Sequence, residues 1–566
     1  MTSLNAMLGR AIPNSSNKIR TLFWILGVFG GLIQALATRT IVSPDGLSYL
    51  NVARAYVKNG WHAGLNSYWS PLYSWLIAIP DALHFLNPNN ELLILHLLNF
   101  LIFLLTMASF DFFLSSCLET FPEHEGFLPL GLESSAMLRC IAYLIFLCMT
   151  LQWSPVGLTT PDMLAALFSF LAAGFLVRVN AGQEIAWNSV GFGACLALGY
   201  LAKAALYPFG ILSLMLLFIV RRKAGLSVRK LLLAPMAFVI VAGPFLGSLS
   251  AAKGMFTFGE SGRVNYLMYG NGFPPYWCGE DIGGPTESRG FQRTETHPVI
   301  FTFADPFPGT YFPTFHPGEW YRNTHLNFQW KSQFLVLRET SLVLAGMFGN
   351  YGELAAAALA LLLICPPSRR IAVLKQSWLL TIPPVFMFGL YALVHIEERF
   401  LAGFMVIFWV GLLSAAVRGC QGRQRIVRPI LIALSIILIV GFAWRTARQI
   451  VSVFQKLPNP AALNTNSLES VGLKSQSKIG VLGYVFDVYA IRAGQFTVVA
   501  AIPPSSEGEY LAADEELVAR TDRALATAGA EALILKSTTP IFQPGWVHAP
   551  NTDLYVKLLR HSDAAQ

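Results

Sequence analysis

Ser43-Pro44-Asp45-Gly46-Leu47-Ser48-Tyr49 follows directly on the first long apolar stretch of the chain, and Thr160-Pro161-Asp162-Met163 directly precedes the fourth. A carboxylate at a membrane–water boundary needs a reason, because ionisable groups near hydrocarbon are costly and usually functional. Lys203 and the run His395-Ile396-Glu397-Glu398-Arg399 fall at the ends of later apolar stretches. Charge bookkeeping puts all of these residues on the same side of a membrane.

Composition demands that membrane. Of 566 residues, 54% are hydrophobic and only 13% charged, with a mean hydropathy of +0.51; a soluble globular chain is nearer a quarter charged. Apolar segments long enough to cross a bilayer recur at 21–40, 92–115, 137–153, 162–178, 187–203, 205–220, 231–250, 341–364, 377–395, 400–417 and 429–446, eleven in all. No small-residue cleavage site follows the first, which is expected to be a retained span rather than a signal peptide. Arg10, Lys18 and Arg20 precede it, and three later loops are basic: Arg221 to Lys230, Arg369 to Lys375, and Arg418 to Arg428. An alternating path puts all four groups on one side, which the positive-inside rule makes the cytoplasm. Arg445 and Arg448 run against the rule. The net charge of +8 is thus mostly cytoplasmic anchoring, with no case for nucleic-acid binding.

The other side receives 41–90, 251–340 and the tail. In 41–90, Leu47, Leu50, Ala53 and Val57, then Leu72, Trp75, Leu76 and Ile79, recur at helical spacing. They predict two amphipathic helices along the outer interface, with Trp61, Tyr68, Trp69, Tyr73 and Trp75 as a headgroup-level aromatic belt. The 251–340 loop is rich in Gly, Pro and aromatics (Tyr266, Tyr269, Phe273, Tyr276, Trp277, Tyr311, Phe312, Phe315, Trp320, Tyr321). Such a loop suits a groove that stacks sugars or peptides, or a packed lid. From about 457 the composition turns soluble. Strands are expected at 478–485, 496–500, 532–535 and 554–558, with a helix at 512–528. Only Cys278 of the seven cysteines falls in an outer loop, so no disulfide supports these regions and they are expected to fold on their own cores. His297, His316 and His325 lack metal-ligand spacing.

Five segments resemble, in order, the motifs of the GT-C glycosyltransferases, closest to the family 39-like enzymes that include protein O-mannosyltransferases and the aminoarabinose transferase of lipid A. They are Ser43 to Arg54, Tyr68-Trp69-Ser70-Pro71-Leu72-Tyr73-Ser74-Trp75-Leu76, Pro161 to Phe168, Leu198-Gly199-Tyr200-Leu201-Ala202-Lys203, and Glu398-Arg399-Phe400-Leu401. Where the aminoarabinose-type enzymes carry a lysine before paired prolines, this chain has Trp69-Ser70-Pro71, which argues against that substrate. The match covers about 20–220 and, more thinly, 390–415; the 251–340 loop and the tail carry no family motif. With the hydropathy reading it gives a GT-C-like, α-helical polytopic membrane protein with about 11 transmembrane helices (1–450, with outer loops 41–90 and 251–340), and the tail reads separately as a small extracytoplasmic α/β domain (457–566). The resemblance implies a cell-membrane enzyme, bacterial in type, with its N-terminus in the cytoplasm. That enzyme would move a sugar from a polyprenyl-phosphate donor to a glycan, lipid or protein acceptor.

The chemistry fits the residue types. An acceptor hydroxyl loses its proton as it attacks the anomeric carbon, so a carboxylate within reach serves as base. The transition state is oxocarbenium-like, and the departing lipid phosphate gains charge that fixed cations stabilise. By resemblance Asp45 is the base, and Asp162 holds the acceptor or orients the site, with a divalent cation as an option. Arg399, Lys203 and His395 hold the donor phosphate, and Glu398, Tyr49 and Tyr73 line the acceptor side. Each role has a plain competitor. Asp45 and Asp162 sit at helix starts, where a carboxylate complements the dipole or caps. Lys203 could snorkel, and Arg399 could pair with Glu397 or Glu398. A lipid-linked glycan transporter and a non-catalytic subunit of the same fold are the rival functions.

Overall fold

The structure is a computed structural model that describes residues 2–119, 132–224, 227–273, 291–303, 315–319, 321, 324–456, 465–485 and 488–559. Tyr276, Trp277, Cys278, Tyr311, Phe312 and Trp320 lie outside them.

The chain opens with α1 (Thr2–Ala37), then α2 (Pro44–Asn59), the short α3 (Trp61–Gly64) and α4 (Pro71–Ala82). The bundle continues with α5 (Glu91–Glu119), α6 (Leu132–Trp153), α7 (Asp162–Asn180), α8 (Ile185–Ala202), α9 (Leu206–Ala224), α10 (Val228–Leu231) and α11 (Leu233–Lys253). After α12 (Ser261–Asn265) and the outer loop come α13 (Trp330–Gly349), α14 (Gly352–Ile364), α15 (Pro367–Ala392), α16 (Glu398–Gly419) and α17 (Gln424–Lys456). Among the described residues, nine helices are long and apolar enough to cross a membrane.

The eleven expected spans are therefore not eleven equal helices. The eighth, 341–364, is broken: α13 and α14 meet at a 74° bend. The sixth is a shorter apolar helix, Leu206–Val220. The bend also accounts for Arg445. Its guanidinium lies 4.4 Å from the centre of the Tyr351 ring and donates to the Asn350 carbonyl (3.2 Å), a backbone acceptor that the break leaves without a helical partner.

At the centre of the bundle, α7 and α16 are both largely enclosed. They approach closely because Gly403 faces Ala166, where a Cβ on Gly403 would stand 2.8 Å from that of Ala166. Both helices begin at the same end of the bundle, and each brings a charged residue there.

The expected helices at 41–90 form as α2 and α4; α2 is packed inward, whereas the expected stripe of α4 stays half-buried at Leu72, Trp75 and Leu76 and exposed at Ile79. Gly46 to Ala53 are all buried, and Tyr73 is fully buried. The aromatics make a cluster rather than a belt. Tyr49 meets Trp69 and Tyr73 edge-on, Trp61 stacks on Trp75, and Trp75 meets Phe245 of α11.

The tail folds as α18 (Asn466–Glu469), β3 (Lys478–Leu482), α19 (Tyr489–Ala493), β4 (Thr497–Ile502), α20 (Pro504–Leu511), α21 (Glu515–Thr527), β5 (Ala532–Lys536), β6 (Trp546–His548) and β7 (Leu554–Leu558). All four expected strands and the helix are present. The sheet, however, takes two further strands from the outer loop: β1 (Phe291–Thr296) and β2 (Val299–Phe303). Its order is β1-β2-β4-β3-β5-β7-β6, with β4, β3 and β5 parallel and the outer pairs antiparallel. Val264, Leu267, Phe301 and Tyr321 of the loop pack with Ile479, Val498 and Ile534 of the tail. The expectation of separate cores is thus corrected. The β4 edge needed a partner, and the loop hairpin supplies it.

Candidate functional site

Ser43-Pro44-Asp45-Gly46 starts a helix for local reasons. Ser43 Oγ accepts from the Gly46 N–H (3.1 Å), Pro44 occupies the first turn, and the carboxylate of Asp45 sits in that turn. The same residues tie the two acidic segments together. The hydroxyls of Ser43 and Thr159 lie 3.1 Å apart, and a Cβ on Gly46 would stand 2.0 Å from Thr159 Oγ1. Only glycine lets α2 approach the turn that leads into Asp162.

Arg399, in the first turn of α16, joins the acids. Its Nη2 donates to Asp45 Oδ2 (3.0 Å), and its Nε and Nη2 donate to the two Glu397 oxygens (2.6 and 3.3 Å). Its Nη1 lies 3.8 Å from Asp162 Oδ2. Lys203, just past the end of α8, pairs with Asp162 Oδ1, and Thr160 donates its hydroxyl to Asp162 Oδ2 (2.7 Å). Lys203 Nζ also sits 3.6 Å from the centre of the Phe400 ring. His395 Nε2 lies 3.4 Å from Glu397 Oε1, and its ring stacks on Tyr269 (4.3 Å, 2°). The outer loop thereby reaches the site.

An open cleft of about 600 Å³ lies over this network. Its lining mixes charged residues (Asp45, Glu397, Glu398 and Arg399) with apolar ones (Trp153, Leu158 and Val343). Such a mixed lining suits an amphiphile with a polar head. Exposure separates the two acids. The Asp45 side chain is 35% exposed and lines the cleft, whereas that of Asp162 is 2% exposed. Burial raises the Asp45 carboxyl from its ordinary value, and the Arg399 guanidinium only partly offsets it. At Glu397 burial also opposes ionisation, but hydrogen bonds from His395 and Arg399 outweigh it and bring it down to about 2.

Of the sequence-expected residues, Asp45, Arg399 and Glu398 line the cleft, and Asp162, Lys203 and His395 join the network around it. Lys203 faces Asp162 as its counterion. Tyr49 is buried beside Asp45; burial first, then the charges of Asp45 and Asp162, hold its phenol well above its usual range, so it stays neutral. Tyr73 lies beneath Tyr49 with its hydroxyl donated to Asn99 (2.6 Å). From sequence Glu397 was read only as a plain pairing partner of Arg399, and that pair is present. Tyr269 was read only as one of the aromatics of the outer loop, and nothing in the sequence signalled its stacking on His395. A divalent cation does not fit here. Among the described residues no three His, Cys, Asp or Glu side chains gather to hold a metal, and Arg399 and Lys203 already neutralise the carboxylates.

Fold and site define a polytopic helical membrane protein with a cleft of mixed charged and apolar lining at one end of its bundle. Two solved structures share the fold along nearly the whole chain. One is ArnT from Cupriavidus metallidurans bound to undecaprenyl phosphate, with TM-score 0.54 and 13% identity, covering 96% of this chain and 99% of that one. The other is ArnT from the same organism in the apo state, with TM-score 0.51 and 12% identity, covering 98% of each chain. The architecture is thus the GT-C fold that the motifs implied. No protein-family model matches the chain, and no curated protein matches it in sequence.

Proposed function

We propose that the protein is an integral-membrane glycosyltransferase that moves a sugar from a polyprenyl-phosphate donor to an acceptor hydroxyl on the extracytoplasmic face. The observation that carries this reading is a partly exposed carboxylate, Asp45, 3.0 Å from a guanidinium at the lip of a half-apolar cleft. Arg399 exchanges its bonds to Asp45 and Glu397 for the lipid phosphate, whose oxygens its planar fork suits two at a time. The acceptor oxygen attacks the anomeric carbon and Asp45 takes its proton. The bond from that carbon to the phosphate oxygen breaks, and the polyprenyl phosphate leaves with the electron pair. Asp162, buried and paired with Lys203, fixes Arg399 from behind.

The fold shared with ArnT, whose structure holds undecaprenyl phosphate, supports a lipid-phosphate ligand. Gathering of the ionisable groups at one end of the bundle, rather than at mid-depth, favours transfer over transport. The test is to incubate purified protein in lipid with radiolabelled polyprenyl-phosphate sugars and a cell-envelope acceptor fraction. Label transferred by wild type and not by Asp45→Asn supports the reading; no transfer from any donor in the panel overturns it.

A further inference from the structure

Far from the cleft in sequence, Arg492 of α19 reaches out of the tail into the bundle. Its Nη2 and Nε meet the two oxygens of Glu91 (2.7 and 2.8 Å), and its Nη1 donates to Asn51 Oδ1. Tyr489, one turn earlier, donates to Glu91 Oε2 (3.1 Å) and lies 3.2 Å from the Pro88 carbonyl. Arg54 approaches Glu91 Oε1 at 3.5 Å. Arg492, Glu91 and Asn51 are all under 5% exposed. Water therefore does not compete for these bonds, and a bidentate pair fixes orientation as well as distance.

The third arm gives the lock a consequence for chemistry. Asn51 stands on α2, the helix whose first turn carries Asp45, less than two turns away. The start of that helix is pinned by Ser43 to Thr159, and Asn51 holds it at its middle. We propose that Arg492 is a positioning residue: by bridging Glu91 to Asn51 it makes the tail domain a clamp that sets the angle of α2 and hence the place of Asp45 over the cleft. This rests on the glycosyl-transfer reading only for its effect on turnover; its effect on α2 is independent of it.

Two variants test it. Arg492→Lys keeps the charge and loses the fork, and Asn51→Ala leaves the Arg492–Glu91 pair whole and removes only the arm to α2. Both are examined in full-length protein in nanodiscs, with amide exchange over α2, binding of undecaprenyl phosphate, and turnover as readouts. Exchange should quicken in α2, undecaprenyl phosphate affinity should hold, and kcat should fall by roughly 10–100-fold, since small misplacements of a reacting group are that costly. Wild-type exchange and kcat in folded Asn51→Ala overturns the proposal. Quickened exchange in a protein whose wild type transfers no sugar supports the clamp and sinks the functional reading instead.

Discussion

Asp45 and Glu397 both touch Arg399, yet the site treats them oppositely. Asp45 is raised by burial, whereas Glu397 is held to about 2 by its hydrogen bonds. On acidification Asp45 therefore takes up a proton first, while the Glu397–Arg399 pair survives. The acid limb of kcat should be shifted upward from that of an ordinary aspartate, with donor binding unchanged across it. The stability sign follows. A carboxyl raised on folding favours the folded state least where it must be charged, that is above its folded pKa. Asp45→Asn should thus leave the melting temperature at pH 7 unchanged or higher while turnover falls by roughly 10²–10⁴-fold, the share of a general base; near-wild-type turnover removes Asp45 from the chemistry. Arg399 and Lys203 divide in the same manner. Arg399→Lys should weaken undecaprenyl phosphate binding and Arg399→Ala should weaken it more, because lysine lacks the fork. Lys203→Ala leaves the buried Asp162 charge short of a partner, so its loss should appear chiefly as stability, of order 3 kcal/mol. Donor binding by Arg399→Ala as tight as wild type reduces that arginine to a structural partner of Glu397.

Helix ends, rather than helices, build the site: the starts of α2, α7 and α16 and the end of α8 each deliver one group. This is why it was legible in sequence. A residue at the edge of an apolar stretch has a known depth, and the sides alternate. What periodicity could not give was contact across the ends, such as Ser43 with Thr159 or Tyr269 with His395, because these are set by how the helices pack. The inward packing of α2 was also hidden. Its apolar stripe reads equally as facing lipid or facing protein. Gly46 offers a test of this level. An added methyl meets Thr159 Oγ1 at 2.0 Å and the Thr159 carbonyl at 3.1 Å, so Gly46→Ala must tilt the start of α2. Turnover should drop by roughly 10²-fold, as for a displacement of about 1 Å. Wild-type turnover in Gly46→Ala would show that the approach of α2 to the 158–161 turn is not what places Asp45.

The whole molecule joins two kinds of solvent. Lipid-facing helices carry exposed apolar residues such as Phe29, Ile240 and Val440, while the seven-stranded sheet has a water-type core built from both the outer loop and the tail. The strands of the tail were readable because a buried central strand is a short apolar run bounded by turns. The loop hairpin was not, because 291–303 mixes polar and apolar residues and acquires its partner from a segment almost two hundred positions later. That shared sheet constrains orientation, since 251–340 and the tail must lie on the same side of the membrane whatever the charge count says. The Lys and Arg distribution predicts that this side is the outside. Single cysteines at His62, Ser505 and Ser368, all exposed, in a cysteine-free background test it with an impermeant thiol reagent on intact cells. Positions 62 and 505 should label in intact cells and 368 only after lysis. Labelling of 368 with protection of the other two inverts the protein. Labelling of 62 without 505 breaks the single face on which both the cleft and the Arg492 clamp depend.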